Sequence, residues 1–271
     1  MPPLWQDLRH AVRGLRARPG FSAAVILTLA LGLGANAAIF SIVDRLLFRP
    51  PALMTHPDRV HRVAFAQSYR GKEYTNNSVP YARYEDLARW TTSFAHVALI
   101  AQRKVAVGVG PDAREMSVAA VSASFFQFFT APPVIGRYFT TAEDAPPDGR
   151  PVAVVSYGWW QSRFGGRRDV LGSTVQVGPT VYTVIGVAPR GFTGIWSTQP
   201  PVAYVPISSF AAGMATGFSL GGEAWYRTYH WTWADMIAER QPGVSREAAT
   251  ADLTNAFIRS RDVQATVDKD L

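Results

Sequence analysis

Five histidines, at positions 10, 56, 61, 96 and 230, are the side chains best suited to hold a metal or move a proton near neutral pH. They are scattered and show no H-E-x-x-H or similar ligand spacing. The chain has no cysteine, so neither a disulfide framework nor a thiolate metal site is available. Glu143 and Asp144 are adjacent carboxylates that could divide acid and base roles, but they sit in a proline- and acid-rich stretch, Ala142 to Arg150, that reads as a solvated loop. Ser156 lies in Val-Ser-Tyr-Gly rather than G-x-S-x-G, so no nucleophile elbow is indicated. No G-x-x-x-x-G-K-[ST] loop occurs, so ATP is not expected to bind in that manner. Gly32-Leu-Gly34-Ala-Asn-Ala37 matches G-x-G-x-x-A, with Asp58 downstream. A dinucleotide site, however, needs a strand, a turn and then a helix, and these glycines stand inside one unbroken apolar run. Trp225, Tyr226, Tyr229, Trp231 and Trp233 could line a ligand surface, yet Tyr229, Trp231 and Trp233 alternate as on one face of a strand, which favours packing. The chemistry-bearing residues therefore predict no enzyme, no cofactor and no metal.

The dominant element is the run from Phe21 to Val43. No charged residue occurs between Arg18 and Asp44. At about 1.5 Å per residue, such a helix reaches roughly 34 Å, enough for a hydrocarbon core of about 30 Å. A cleaved signal peptide is the rival reading, but its apolar part is usually shorter, and Ala35-Asn36-Ala37 lies inside the run rather than after it. We therefore expect one transmembrane helix over 20–48. Ala24, Thr28, Gly32 and Asn36 fall at i, i+4 spacing, and Ala30, Gly34 and Ala38 form a second row. Small residues let helix backbones approach closely, and lipid cannot satisfy the Asn36 amide. Ala24, Thr28, Gly32, Gly34 and Asn36 are accordingly the candidate helix-packing residues.

Residues 1–19 read as a basic amphipathic lead-in. Leu4, Trp5, Leu8, Val12 and Leu15 follow helical spacing, and Arg9, Arg13, Arg16 and Arg18 face a single Asp7. Such a segment suits an anionic membrane surface, and Pro19-Gly20 is expected to break it before the crossing helix. The arginine excess places this end in the cytoplasm and residues 50–271 outside, although Arg45 and Arg49 oppose that assignment weakly. The lead-in accounts for part of the net charge of +7. The remainder has no Lys/Arg cluster interleaved with base-stacking aromatics, so no nucleic-acid partner is expected.

Beyond Pro51 the pattern predicts an α+β domain of mixed sheets with helices on one side. Strands are expected at Asp58–Phe65, in two runs within 94–109, at Glu115–Val121, Pro151–Ser156, Ser173–Val177, Tyr182–Val187, Val202–Val205 and Tyr226–Glu239. Helices are expected after Pro80 to about Trp90, as a short aromatic one at Ser122–Phe129, at Tyr157–Phe164 stopped by Gly165-Gly166, and at Val244–Arg259 with Ser245 at its start. Met214 to Gly222 is glycine-rich and expected to be mobile.

Five segments in order resemble the permease subunits of the MacB/FtsX-like ABC transporter family, in particular the long MacB-like permeases. They are Leu4–Arg9 through Arg18-Pro-Gly-Phe21; Leu27–Asn36 to Ser41-Ile-Val-Asp44; Ile135-Gly-Arg-Tyr-Phe139 with Glu143-Asp144; Val155–Trp160 to Phe164-Gly-Gly166 with Leu171-Gly172; and Ile185-Gly-Val-Ala-Pro189 to Gly191-Phe192. The resemblance covers nearly the whole chain. It implies an inner-membrane permease whose large periplasmic domain has a porter-like part, here 55–140 and 225–262, with an inserted subdomain, here 141–224. It also implies a cytoplasmic ABC ATPase subunit as partner, a second permease copy or further permease transmembrane helices, and a role in export or efflux. Two departures stand out: Gly178-Pro179-Thr180 replaces the family's Asn-Gly turn, and Glu239-Arg-Gln-Pro-Gly-Val244 differs from its Arg-Leu-x-Pro-Gly-Val. A full permease of this kind needs at least four membrane helices, so the remaining helices are expected from a longer chain or from other chains. A single-pass sensor or scaffold needs only one such helix and is the alternative.

Overall fold

A computed structural model describes residues 4–43, 50–69, 71–196, 200–216 and 224–268. The chain divides into two compact units, Met1–Pro50 and Pro51–Leu271. The first holds two helices, α1 (Leu4–Ala17) and α2 (Pro19–Val43). Pro19-Gly20 does not separate them as expected. The break is confined to Arg18, and Pro19 opens α2, where its missing N–H is no loss. The Ser22 amide donates to the Arg18 carbonyl at 3.0 Å and its Oγ to the Leu15 carbonyl at 2.9 Å, pinning the junction. The α1 arginines at 9, 13 and 16 are exposed, as are Arg18 at the break and Val12 and Leu15 on the helix. The side chains of Leu4, Trp5 and Leu8 lie outside the described residues. Pro19–Ser41 is long and apolar enough to cross a membrane, and residues 44–48 of the expected span lie outside the described residues.

The second unit is built on a ten-stranded mixed sheet. Its strands are β1 (Val60–Arg62), β4 (Ser78–Val79), β5 (Phe94–Val107), β6 (Arg114–Val121), β7 (Ile135–Gly136), β8 (Val152–Val155), β9 (Thr174–Val177), β10 (Thr180–Val187), β11 (Ala203–Pro206) and β12 (Ala234–Arg240). The order runs β1-β12-β5-β6-β11-β8-β10-β7, with β4 beside β12 and β9 beside β10 and β5. β6 and β11 are parallel, as are β8 and β10; the other pairs are antiparallel. A separate hairpin joins β2 (Phe65–Tyr69) to β3 (Lys72–Asn76).

Strand side chains alternate between two faces, and both faces are buried. Leu99, Val118, Ala120, Ala153, Val155, Val205 and Met236 belong to one core, while Ile100, Ala119, Val121, Val154, Tyr204 and Ile237 belong to the other. That is why these strands read as continuous apolar runs. Among the described residues, four helices of this unit pack on the first face: α3 (Tyr81–Trp90) through Leu87, α4 (Tyr157–Phe164) through Trp160, α5 (Ile207–Ala215) through Phe210 and α6 (Arg246–Val267) through Ala256. The second face is sealed by aromatics from a 3-10 turn, Ala123–Phe128, and from Phe139 and Phe192.

Several local expectations differ from the structure. The two runs within 94–109 are one long strand, because its partner β6 runs beside most of it. Tyr226 to Trp233 is turn rather than strand, so pairing begins only at Ala234. Met214 and Ala215 close α5, and residues 217–223 lie outside the described residues. α6 runs eight residues past Arg259, to Val267.

Candidate functional site

On α2 the five candidate packing residues stand on a helix whose described side chains are mostly exposed; Leu31, for example, is 78% exposed. The Thr28 Oγ1 donates back to the Ala24 carbonyl at 2.9 Å, so this hydroxyl is already satisfied inside the helix. A side chain added at Gly32 or Gly34 would meet nothing within 4 Å. At about 100° per residue Gly32 and Gly34 lie roughly 160° apart around the helix, whereas Gly32 and Asn36 share one side. The glycines thus belong to separate surfaces, each open to a neighbour.

The adjacent carboxylates in the second unit are not a solvated pair. Glu143 receives two hydrogen bonds from Arg137, at 2.7 and 2.8 Å, and one from the Thr140 amide at 2.9 Å. The Arg137 guanidinium holds the Glu143 carboxyl down at about 2. Asp144 is buried. Its Oδ1 accepts from the Ser208 amide at 3.1 Å and from Ser208 Oγ at 3.0 Å, and its Oδ2 accepts from the Ala123 amide at 3.0 Å. Burial raises this carboxyl from 3.8 to about 6, against the pull of those hydrogen bonds. The parallel strands β6 and β11 both lead into helical segments at one end of the sheet, and there the backbone amides need an acceptor. Asp144 supplies it to both. The two carboxylates therefore have different structural tasks and do not face a common substrate.

The glycines of the Ile135-Gly136 and Ile185-Gly186 segments are direct partners across β7 and β10. The segments quoted for the resemblance thus include two that form a single contact.

The aromatic stretch packs inward. Trp225 and Trp233 are buried, Trp231 and Trp233 stack at 5.2 Å, and Trp225 Nε1 donates to the Pro147 carbonyl at 2.8 Å. The histidines are dispersed: His56 meets Glu239 at 3.0 Å, His61 accepts from Arg240, and His230 meets Asp268 at 2.9 Å.

Sequence reasoning missed one buried polar network. Arg83, 4% exposed, donates to Ser260 Oγ at 3.1 Å and to Gln264 Oε1, and its guanidinium lies over the Tyr229 and Phe257 rings. Ser260 Oγ and Tyr229 OH each donate to Asp86 Oδ2 at 2.7 Å, so the balancing carboxylate sits one hydroxyl away. The available signal was that Arg83 and Leu87 share a helix face, as do Ala256, Ser260 and Gln264.

A family model described as the MacB-like periplasmic core domain matches residues 22–256. Among solved structures, the chain is similar to the periplasmic region of MacB from Actinobacillus actinomycetemcomitans. The two are 14% identical, with 78% of this chain and 92% of that one covered and a TM-score of 0.52. It is also similar to a domain of a protein described as a permease from Porphyromonas gingivalis, 16% identical over 76% of this chain and 83% of that one, with a TM-score of 0.55. At such identities the likeness is one of fold. No curated protein matches the chain.

Proposed function

Because the chain belongs to the MacB-like periplasmic core domain family, we propose that it is the N-terminal portion of an inner-membrane permease subunit. Its outer unit moves when a separate cytoplasmic ABC ATPase hydrolyses ATP, and the motion serves export. The observation that carries this reading is the extent of the family match. Residues 22–256 take in both the apolar helix and the mixed-sheet unit, so the membrane and outer parts enter together. Orientation follows from the exposed arginines of α1, which favour the cytoplasmic side.

The division into a porter-like part, 55–140 with 225–262, and an insertion, 141–224, is supported by the order of strands. β1, β12, β5 and β6 are contiguous, and β11, β8 and β10 follow as a second group that meets the first at the β6–β11 pair and where β9 touches β5; β7, within 55–140, departs from the division by pairing with β10.

Alkaline phosphatase fused after Leu271 is expected to be active, and β-galactosidase at the same point inactive. The reverse pattern would overturn the orientation. Affinity isolation of the chain from native membranes is expected to recover an ABC ATPase. Recovery of a kinase or cyclase without one would favour single-pass sensing, a reading compatible with one membrane-length helix among the described residues.

The open surfaces of α2 are proposed as contacts for other permease helices or a second copy. Crosslinking in native membranes is expected to capture the wild type with a neighbour. Asn36→Leu should reduce capture, since an interhelical amide hydrogen bond contributes about 0.5–2 kcal/mol in a bilayer. Gly32→Leu and Gly34→Leu, tested separately because they face different directions, should each remove a distinct crosslink. Identical crosslinks in all four proteins would exclude the contact.

A further inference from the structure

The strand that ends the sheet, β1, borders a groove of about 480 Å3 beneath the first turns of α6. Its floor is apolar, made by Val63, Phe94, Ala238 and Leu253. Its lining holds His61 and the cations Arg240 and Arg246 and no acidic side chain; Arg62 also borders it, with its guanidinium 3.7 Å from Asp235. Arg240 spends its donors on His61 Nε2, at 2.9 Å, and on the carbonyls of Val244 and Asp58 rather than on a carboxylate. Arg246 is exposed. Of the neighbouring acids, Glu247 hydrogen-bonds its own amide and Ser245 at the start of α6 and acts on Arg246 and Arg240 through space, and Asp58 acts on His61 from outside the groove. Burial and the two arginines hold the His61 imidazole below its ordinary 6.5, so at neutral pH it accepts from Arg240.

Part of the main chain beside this groove is unpaired among the described residues. The Arg240 amide donates to the Arg59 carbonyl and the Val63 amide to the Met236 carbonyl. In an antiparallel ladder the intervening residues alternate, so the N–H and C=O groups of Val60 and Arg62 point away from β12, off the edge of the sheet. A row of outward donors and acceptors is a template for another strand.

We propose that this groove docks an extended segment of a partner protein, which adds a strand to β1 and presents carboxylate side chains to Arg240 and Arg246. Alternate residues of that segment would face the groove, an apolar one on the Phe94–Leu253 floor and acidic ones toward the arginines. The shortness of β1 and the charge on Arg62 disfavour indiscriminate edge pairing, which leaves the acidic side chains to select the partner. The proposal does not depend on the transport reading.

The test uses the full chain in nanodiscs of zwitterionic lipid and two fluorescent peptides. One is Ser-Val-Thr-Asp-Thr-Asp-Ser, and in the other lysine replaces both aspartates. Anisotropy is expected to show the acidic peptide binding at least tenfold more tightly. Val60→Pro, which removes an outward amide that β12 does not use, and Arg246→Glu should each weaken it tenfold or more. Arg168→Glu, an arginine outside the groove, should leave it unchanged. Thermal midpoints check folding, and if Val60→Pro lowers its midpoint, Arg246→Glu decides. Equal binding of the two peptides, or indifference to Arg246→Glu, would overturn the proposal. So would self-association of the chain that Arg246→Glu abolishes, because a second copy would then be the occupant.

Discussion

Gly136→Ala is expected to destabilise the second unit by about 3 kcal/mol or more, a large share of the roughly 5–15 kcal/mol that holds a typical domain together. Two costs add. Gly136 has φ +73°, a conformation that costs an L side chain about 1–2 kcal/mol. A Cβ there would also stand 2.1 Å from the Ile185 carbonyl oxygen and 2.9 Å from Leu171 Cδ2. The carbonyl belongs to β10 and cannot swing aside without breaking the sheet edge. The contact is tight from both sides, since a Cβ on Gly186 would lie 2.3 Å from the Arg137 carbonyl oxygen. Gly158→Ala is the control: it lies inside α4 with nothing within 4 Å, and alanine should match or slightly exceed glycine there. Chemical denaturation followed by tryptophan fluorescence measures both. A loss below about 1 kcal/mol for Gly136→Ala would mean that β7 and β10 are not held this closely.

The second large effect is expected at Asp144. Asp144→Leu removes the acceptor for the Ser208 and Ala123 amides at once, and stability should fall by about 3–5 kcal/mol, as each buried amide left unpaired costs about 1–3. The pH dependence separates this role from simple packing. Because Asp144 is raised in the folded protein from 3.8 to about 6, the native state binds the extra proton. Its contribution is complete below about pH 4 and is lost as pH rises through about 6. Glu143 acts in the opposite sense: lowered to about 2, it contributes above its ordinary 4.5 and that contribution is lost as pH falls toward 2. Asp144→Asn should therefore flatten the stability profile between pH 4 and 6, with a smaller loss of about 1–2 kcal/mol, and leave the fall at lower pH in place. A wild-type profile already flat from pH 4 to 6 would refute the assignment.

What the sequence determined by itself is what depends on neighbours along the chain. The charge-free run from Phe21 to Val43 is a helix because apolar length alone demands it. Ser245 caps α6 as its spacing indicated, accepting from the Ala248 amide, and Ser156 does the same for α4 with the Trp159 amide. Gly165, at φ +61°, ends α4, and Gly178-Pro179 turns β9 into β10. The apolar strands were legible for the same reason, because a continuous apolar run is a local property.

Tertiary structure decided whatever depended on distant partners. Nothing within Ala142–Arg150 distinguishes the buried Asp144 from the ion-paired Glu143. The difference arises when β11 is laid beside β6 and brings Ser208, 64 residues away, onto one carboxylate. The Tyr226–Trp233 stretch carries strand-like alternation, yet it lacks a neighbouring strand and stays a turn. Nothing local links Gly136 to Gly186, which lies inside an expected strand, until the sheet makes them partners. Arg83 sits buried because α6 delivers Ser260 and Gln264 to it from far along the chain. Local spacing can specify which residues begin, end or face an element. The burial of a charge or the exposure of an edge is fixed by which elements are packed together, and that is set by the sum of many contacts rather than by any one segment.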